Sequence, residues 1–382
     1  MGDAAMLLTL VDMLKRISPE ASLSALVSDP AFTSEKCPGI NAELHGWPWP
    51  IPESGRPGVL ELLGYPLIFF GNMLTAIAYR IFKARVFLFN KRFSGPLTQL
   101  MECDAVVSPG GDFIGPRYFF ITSLGEVVMS RIMGKRFILC AQTIGPFDSW
   151  IMRKIVAATI SLADLVILRE ERSAAWLRKE GLKHVKVTTD LAFAFGYPQK
   201  RKKKSRIIFC PKGVLKDGEG YVEGMVRLAR RLADETGCEI VILPTDSHDK
   251  EIQSEIASRL DGKASIIGEV LPPLRIAKEI AEAEFIISGR MHAIILGSRS
   301  CTPFLALSDS DKFADILGRF YEGGCVAAGA DSTDKALGLF RERESLAKKM
   351  SAALPELERK ALENGRILRE FLKDPDKAKH RN

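Results

Sequence analysis

The sequence lacks the marks of a secreted, disulfide-linked or metal-binding protein. Its seven cysteines are scattered through 382 residues without a CxxC pair, which favours reduced, mostly buried thiols over a disulfide framework or a zinc site. No Asp, Glu, His or Cys residues stand at the spacing of metal ligands, so no metal is expected. No basic segment precedes the first apolar run, so no secretory signal peptide is indicated. These absences predict a cytoplasmic protein.

Long uncharged runs are also scarce, and the chief one covers residues 62–79. Its length is about the minimum for a membrane-spanning helix. Two glycines, a proline and an asparagine interrupt it, however, and Arg80, Lys83 and Arg85 follow at once. We therefore predict over residues 62–85 a helix that does not cross a bilayer. This helix could either pack in the protein core or contact the inner face of the cell membrane from the side of the cytoplasm, and the sequence does not decide between the two.

Acidic residues are fewer than basic ones: 47 Asp and Glu oppose 54 Lys and Arg, for a formal net charge of +7. This excess suits an anionic small substrate or an acidic lipid surface. No basic segment with interleaved aromatic residues is present, so no nucleic-acid partner is expected.

The sequence is dominated by short apolar strands that alternate with amphipathic helices. Buried strands in alternation with helices predict parallel sheets covered on both faces. A basic run at 197–205 separates two such blocks. We predict an α/β fold of two Rossmann-like domains that face a cleft. The predicted boundaries are 1–198 for the first domain, 199–205 for a linker, 206–335 for the second domain, and 336–382 for a C-terminal helical segment and tail.

The strongest local motif is SGRMHA at residues 288–293, where a buried strand gives way to a helix. Arg290 offers a planar fork to a phosphate or carboxylate, and His292 can move a proton near neutral pH. Lys312 follows the next predicted strand and could add a second cation. From spacing alone, an ordinary ion pair and a structural histidine at a helix start explain the motif better, because R-x-H is a short pattern. A solvent-exposed loop residue is likewise the commoner explanation for a lysine such as Lys312.

Further candidates follow other predicted strands in both domains, and one of them, Arg153, lies on the helix after such a strand. Paired glycines let a backbone approach a ligand closely, and each of the remaining residues also has a plain structural explanation as a cap, turn or surface ion pair. The candidates are Gly110, Gly111, Gly145, Arg153, Arg169, Asp190 and Lys212.

Taken in order, these motifs resemble the polysaccharide pyruvyl transferase family. The match covers nearly the whole chain, and the ordered set is more specific than any one motif. Its residues are Gly2 and Asp3; Gly110 and Gly111; Gly145, Pro146 and Arg153; Arg169, Ser173, Leu177 and Gly181; Asp190, Ala192 and Phe193; Arg290, His292 and Ala293; and Pro303 and Lys312. The sequence departs from the family pattern at Pro109, Cys301 and Lys212.

The resemblance implies a glycosyltransferase-B-like fold and an enzyme that moves a pyruvyl group from phosphoenolpyruvate onto sugar hydroxyls. The acceptor would be a polysaccharide or a lipid-linked glycan precursor, bound by the first domain, and the product a cyclic ketal. The second domain would be the donor side, where Arg290 and Lys312 would bind the donor together with Arg169 and the 110–111 turn of the first domain. His292 would be the general acid and base, and Arg290 the second catalytic residue. Phosphoenolpyruvate is a co-substrate, and no cofactor is expected.

Two other functions fit the same residues. A glycosyltransferase with a nucleotide-sugar donor needs an anion site too, and a catalytically inactive relative would bind the donor without turnover. The product released from the donor would separate a pyruvyl transferase from a glycosyltransferase: the first releases phosphate and the second releases a nucleoside diphosphate.

The start of the chain raises a structural expectation. In the family, the Gly-Asp pair follows a strand that is central in a doubly wound sheet, whereas here the pair stands at positions 2 and 3. We therefore predict a first domain without its first strand, and hypothesise that the natural chain begins upstream of Met1.

Overall fold

A computed structural model describes residues 2–27, 29–37, 40–44, 59–85, 94–116, 121–196, 201–213, 218–308, 311–326 and 332–373. The chain divides into two compact units. The N-terminal unit comprises Leu10–Asp190 and Glu363–Asn382, and the C-terminal unit comprises Met1–Thr9 and Leu191–Leu362.

The described strands of the N-terminal unit form two parallel sheets. They are β1 (Ser24–Val27), β2 (Asn41–Leu44), β3 (Ala105–Ser108), β4 (Gly111–Ile114), β5 (Arg136–Ile144), β6 (Leu165–Leu168) and β7 (Val185–Val187). The larger sheet has the order β3-β5-β6-β7, and β4 also pairs with β5. β1 and β2 pair with each other in a separate two-stranded sheet. Every residue of β5 after Arg136 is buried, as expected for a central parallel strand.

The helices of this unit pack against its two sheets and against one another. They are α2 (Pro30–Lys36), α3 (Val59–Phe82), α4 (Ser94–Glu102), α5 (Ile121–Met133), α6 (Trp150–Ile160) and α7 (Glu171–Lys179), while α1 (Gly2–Ile17) and α14 (Arg343–Lys373) contribute residues to both units. Val127 of α5, Ala157 of α6 and Leu177 of α7 share one core with Phe137 and Leu168 of the strands.

Local sequence sets the starts of two of these helices. The Asp29 carboxylate accepts a hydrogen bond from Phe32 N at 2.8 Å, with Pro30 at the first helical position of α2. Ser149 caps α6 in the same way, by accepting from Met152 N.

The C-terminal unit contains one six-stranded sheet in which every pair is parallel. Its strands are β8 (Lys204–Cys210), β9 (Glu239–Ile242), β10 (Ala264–Ile266), β11 (Ala283–Ser288), β12 (Phe304–Leu307) and β13 (Cys325–Val326). The order is β10-β9-β8-β11-β12-β13. Its helices are α8 (Gly218–Thr236), α9 (Lys250–Arg259), α10 (Pro273–Ala281), α11 (Met291–Ser298), α12 (Asp311–Leu317) and α13 (Thr333–Arg341).

The predicted α/β class is confirmed, and each unit contains one large sheet of parallel strands. Strand β13 has two residues, which is too short to produce a periodic signal in the sequence. The helix predicted over 62–85 is α3. In the described part of the chain, no helix has the length and apolar character that a bilayer crossing requires.

Candidate functional site

The carboxyl edge of the C-terminal sheet positions the RMH motif. Strand order reverses between β8 and β11, and ligands bind beside such a reversal in open α/β sheets. Ser288 ends β11, and its Oγ accepts a hydrogen bond from Arg290 N and donates one to Arg290 O, both at 2.9 Å. This tight turn makes Arg290 the residue that precedes α11.

The guanidinium of Arg290 is fixed by a buried carboxylate. Arg290 Nε donates to Asp249 Oδ2 at 2.9 Å, and Nη2 donates to Asp249 Oδ1 at 2.6 Å. Asp249 is fully buried, Arg290 is 25% exposed, and Gly213 N donates a further hydrogen bond to Asp249 Oδ1 at 2.7 Å. A guanidinium held by two hydrogen bonds to one carboxylate cannot rotate freely, so Asp249 sets the orientation of the Arg290 side chain.

A second carboxylate lies on the same loop. Asp246 Oδ2 is 3.6 Å from Arg290 Nη2, and Asp246 Oδ1 bonds His248 Nδ1 at 2.8 Å. Burial raises the pKa of Asp246, but hydrogen bonds from His248 and the charge of Arg290 outweigh it and leave this pKa below its ordinary value. Asp246 therefore stays ionised near neutral pH, and the two carboxylates exceed the charge of Arg290 by one.

Lys212 follows β8 and packs against the loop of Arg290. A β-carbon on Gly289 would lie 2.9 Å from Lys212 Cβ, so this close approach requires glycine. Lys212 N donates to Tyr221 Oη at 3.1 Å. Burial raises the pKa of Tyr221 to about 12, so its hydroxyl stays neutral. With Lys212, the formal charges around Arg290 sum to zero.

His292 is the second residue of α11 and is half-buried. Its imidazole lies against the backbone of Gly2, at the start of α1, and any side chain at position 2 would overlap the ring. The first glycine of the sequence motif and the histidine of the RMH motif therefore contact each other within the C-terminal unit. Lys312 lies in the first turn of α12, and its side chain is outside the described residues.

Arg169 occupies the corresponding edge of the N-terminal sheet, in a buried network. It is 1% exposed, its Nε donates to Thr143 Oγ1, and its Nη1 donates to Asp190 Oδ2, both at 2.6 Å. Thr143 Oγ1 and Ser173 Oγ each donate to the Glu170 carboxylate. Two buried carboxylates, those of Glu170 and Asp190, thus oppose one guanidinium.

The glycine turn of this unit is supported from β5. Gln142 is 1% exposed, and its Nε2 donates to Ser108 Oγ at 2.9 Å and to Pro109 O at 2.6 Å. Its Oε1 is buried without a hydrogen-bond partner among the described residues. Gln142 therefore fixes the backbone that leads into Gly110 and Gly111.

Gly145 and Arg153 lie at the end of β5 and on α6. Gly145 has a φ of +67° before a cis Pro146, and the Trp176 ring lies close against it, so a side chain there would be strained and crowded. Arg153 Nη1 donates to Phe147 O at 3.3 Å, and its Nε is 3.4 Å from Glu180. Both residues have clear structural roles in the turn.

Asp249 is absent from the motifs recognised in the sequence, and Glu170 and Gln142 belong to those motifs only as neighbours of the chosen candidates Arg169 and Gly145. Asp249 and Glu170 follow strands β9 and β6, so a scan of every strand's carboxyl end would have found them. All seven cysteines are free thiols. Within the described ranges, no group of His, Cys, Asp and Glu is placed to hold a metal ion.

Solved structures share the fold of this chain. MnaA of S. aureus in a co-structure with UDP has a TM-score of 0.66 at 15% identity, over 99% of this chain and 95% of that one. UDP-GlcNAc 2-epimerase of Neisseria meningitidis bound to UDP-GlcNAc has a TM-score of 0.60 at 13% identity, over 97% of each chain. A UDP-glucose:anthocyanidin 3-O-glucosyltransferase in complex with UDP has 0.58 at 10% identity, over 97% of this chain and 96% of that one. They confirm the glycosyltransferase-B-like fold.

No curated protein sequence matches the chain. The family model for polysaccharide pyruvyl transferase matches residues 1–311, which include the glycine turn, the Arg169 network and the RMH motif. The chain therefore belongs to the polysaccharide pyruvyl transferase family.

Proposed function

We propose that this protein transfers the pyruvyl group of phosphoenolpyruvate to two hydroxyls of one sugar, in a polysaccharide or a lipid-linked glycan precursor. The observation that carries the proposal is the position of the Arg290 guanidinium. Asp249 orients it, and Arg290 stands two residues before His292, at the carboxyl end of the sheet where the strand order reverses. Such a site supplies a fixed anion-binding fork and a proton-transfer group side by side.

The donor would be held by the C-terminal unit. Phosphoenolpyruvate carries a phosphate and a carboxylate, whereas the formal charges of Arg290, Asp246, Asp249 and Lys212 cancel. Donor binding therefore needs more positive potential than this group supplies. The amino end of α11, which begins at the motif itself, contributes backbone N–H groups and the positive end of its dipole. Lys312 is the proposed additional cation.

The reaction assigns His292 a proton-transfer role. The methylene carbon of the donor gains a proton, its C2 gains bonds to two sugar oxygens, and the C2–O bond to phosphate breaks. The two hydroxyl protons are thereby accounted for: one ends on the new methyl group and the other on phosphate. His292 would accept a hydroxyl proton and return it, while Arg290 stabilises the charge on the donor.

The N-terminal unit would hold the acceptor. The Arg169 network contains one more carboxylate than guanidinium, which disfavours a second anion and suits a neutral, hydroxyl-rich sugar. In this proposal Arg169 shapes the sheet edge rather than binding phosphate. The backbone of Gly110 and Gly111, fixed by Gln142, would be the part that approaches the sugar.

The test is donor competition with the purified full chain and a mixed pool of glycan acceptors. Phosphate release from phosphoenolpyruvate, dependent on acceptor and lost in His292→Ala, is the expected result. Nucleoside diphosphate release from UDP-sugars in the same pool, without phosphate release, would favour a glycosyltransferase. Donor binding without either release would favour an inactive relative.

A further inference from the structure

The most unusual surface of the molecule lies on α3, outside the proposed site. Five large apolar side chains of this helix are exposed at spacings of three and four residues: Leu67 (67%), Phe70 (61%), Leu74 (53%), Ile77 (38%) and Ile81 (64%). Such spacing places them on one face of a helix. At about 1.5 Å per residue the row is about 21 Å long. We call these five residues the α3 stripe.

The opposite face of α3 is anchored in the N-terminal unit. Asn72, Thr75 and Ala76 are buried, and Ala76 shares a core with Met101 of α4 and Met129 of α5. Tyr79 Oη donates to Met101 O at 2.6 Å. The helix is therefore packed in place, and its apolar stripe is not a core face awaiting burial within this unit.

Charge distinguishes the α3 stripe from other exposed apolar groups. No Asp or Glu occurs between residues 62 and 101, whereas Arg80, Lys83 and Arg85 stand at the end of the helix. Arg80 stands in the last turn of the helix with its guanidinium near Gly134, and Lys83 follows the helix with its ammonium 5.1 Å from the centre of the Tyr79 ring. Both residues are exposed, whereas Arg85 forms an ion pair with Glu102 at 2.9 Å. An apolar row with exposed cations near its end and no acidic residue within its own sequence matches a surface that is apolar inside and negative outside.

We propose that the α3 stripe docks onto the surface of an anionic lipid bilayer, with α3 lying in the plane of the interface. The stripe would enter the boundary between headgroups and acyl chains, while Arg80 and Lys83 contact lipid phosphates. One exposed helix face has no groove into which a protein partner could fit, whereas a fluid bilayer can accommodate such a face without a groove. The proposal is independent of the pyruvyl transfer reaction.

Helix α6 supplies a matched comparison in the same unit. Ile151 and Ile155 are 52% and 48% exposed, close to the values for the stripe. Their surroundings differ, because Asp148 is exposed nearby and Lys154 is paired with Glu180 at 2.8 Å. The charge beside these residues does not favour an anionic surface, so the proposal rests on α3.

The experiment is co-flotation of the full chain with vesicles of phosphatidylcholine and phosphatidylglycerol, compared with vesicles of phosphatidylcholine alone. Wild type should float with the anionic vesicles and bind the neutral ones more weakly. F70S/L74S should lose affinity about tenfold or more, because two large apolar side chains leave the interface. R80Q/K83Q should lose about fivefold per charge on anionic vesicles, and little on neutral ones.

I151S/I155S is the control, since it removes an equal number of exposed apolar side chains from the same unit. It should bind like wild type, and all variants should keep the wild-type melting temperature. Failure of wild type to bind anionic vesicles, or equal loss in the α3 and α6 variants, overturns the proposal. So does sedimentation that shows a dimer which F70S/L74S dissociates, in a chain that binds no lipid, because the stripe would then be a contact between copies.

Discussion

At the scale of single residues, Arg290 is expected to affect both the stability of the protein and donor binding, because it pairs with the buried Asp249 and is proposed to bind the donor. Arg290→Ala leaves the fully buried Asp249 carboxylate with its hydrogen bond from Gly213 N but without its guanidinium partner. We expect a loss of about 3 kcal/mol in the free energy of unfolding, measured by urea denaturation. Arg290→Lys keeps the charge but loses the two-point bond, so it should cost less stability while still weakening phosphoenolpyruvate binding.

A double-mutant cycle separates the pair from its surroundings. Arg290→Ala combined with Asp249→Ala removes the stranded carboxylate, so the double variant should lose less stability than the sum of the two single variants. Additive losses would mean that the two side chains contribute independently and that Asp249 does not orient Arg290.

His292 is predicted to act on turnover rather than on donor binding. His292→Ala should reduce kcat by about a hundredfold or more, the usual range for a proton-transfer group, with little change in the Kd for phosphoenolpyruvate. Calorimetry and a phosphate-release assay measure the two quantities. His184→Ala, which changes an exposed histidine of the other unit, is the control. An equal loss of donor affinity in His292→Ala and Arg290→Ala would contradict these separate roles.

At the scale of secondary structure, α14 is tied to the N-terminal sheet by one buried side chain. Asn364 is fully buried, accepts from Thr188 Oγ1 at 2.9 Å and donates to Thr189 O at 3.3 Å. Asn364→Ala should cost about 1–3 kcal/mol, because these buried groups lose their partner. Leu362→Ala changes a 57% exposed residue of the same helix and should stay within about 0.5 kcal/mol. Similar values for both, in urea denaturation, would show that Asn364 does not anchor α14.

Helices and strands with a regular apolar pattern were predictable from the sequence. Contacts between residues that are far apart in the sequence were not. Strand β11 and helix α11 follow from an apolar run, a glycine and a second apolar run, which also placed Arg290 and His292 at a strand's end. The contact between Arg290 and Asp249 joins residues 41 positions apart, so no local pattern indicates it. Arg169 is predicted from the sequence to be a cation for the donor. Its ion pair with Asp190 depends on strands β6 and β7 lying side by side, which no local pattern indicates.

The bulge in β5 is another feature that local patterns do not predict. Ala141 has a φ of +56°, a conformation that favours glycine, where the pairing of β5 with β6 shifts between Leu139 and Gln142. The alternation that predicts a strand continues through this position, so the sequence shows no break. The bulge sets the register from which Gln142 reaches Pro109.

At the scale of the whole molecule, the proposal divides donor and acceptor between the two units, and hydrogen exchange can test this division. Phosphoenolpyruvate should slow amide exchange at 212–213, 245–249 and 289–292, the loops around Arg290. Amides that exchange only when the donor-binding conformation opens should slow by up to about a hundredfold at a donor concentration about one hundred times Kd. Amides at 110–111 and 169–170 should change little until a glycan acceptor is added.

The same measurement with Arg290→Ala is the control for specific binding, since that variant should show no donor-dependent slowing at equal concentration. Inorganic phosphate tests how much of the effect belongs to the phosphate group alone, and it should protect the same loops at a higher concentration. Protection by phosphoenolpyruvate confined to 110–111 and 169–170 would move the donor to the N-terminal unit. Protection of the C-terminal loops by a UDP-sugar, and none by phosphoenolpyruvate, would contradict the proposed donor itself. The two failures are distinct, because the first changes where the donor binds and the second changes which donor the fold selects.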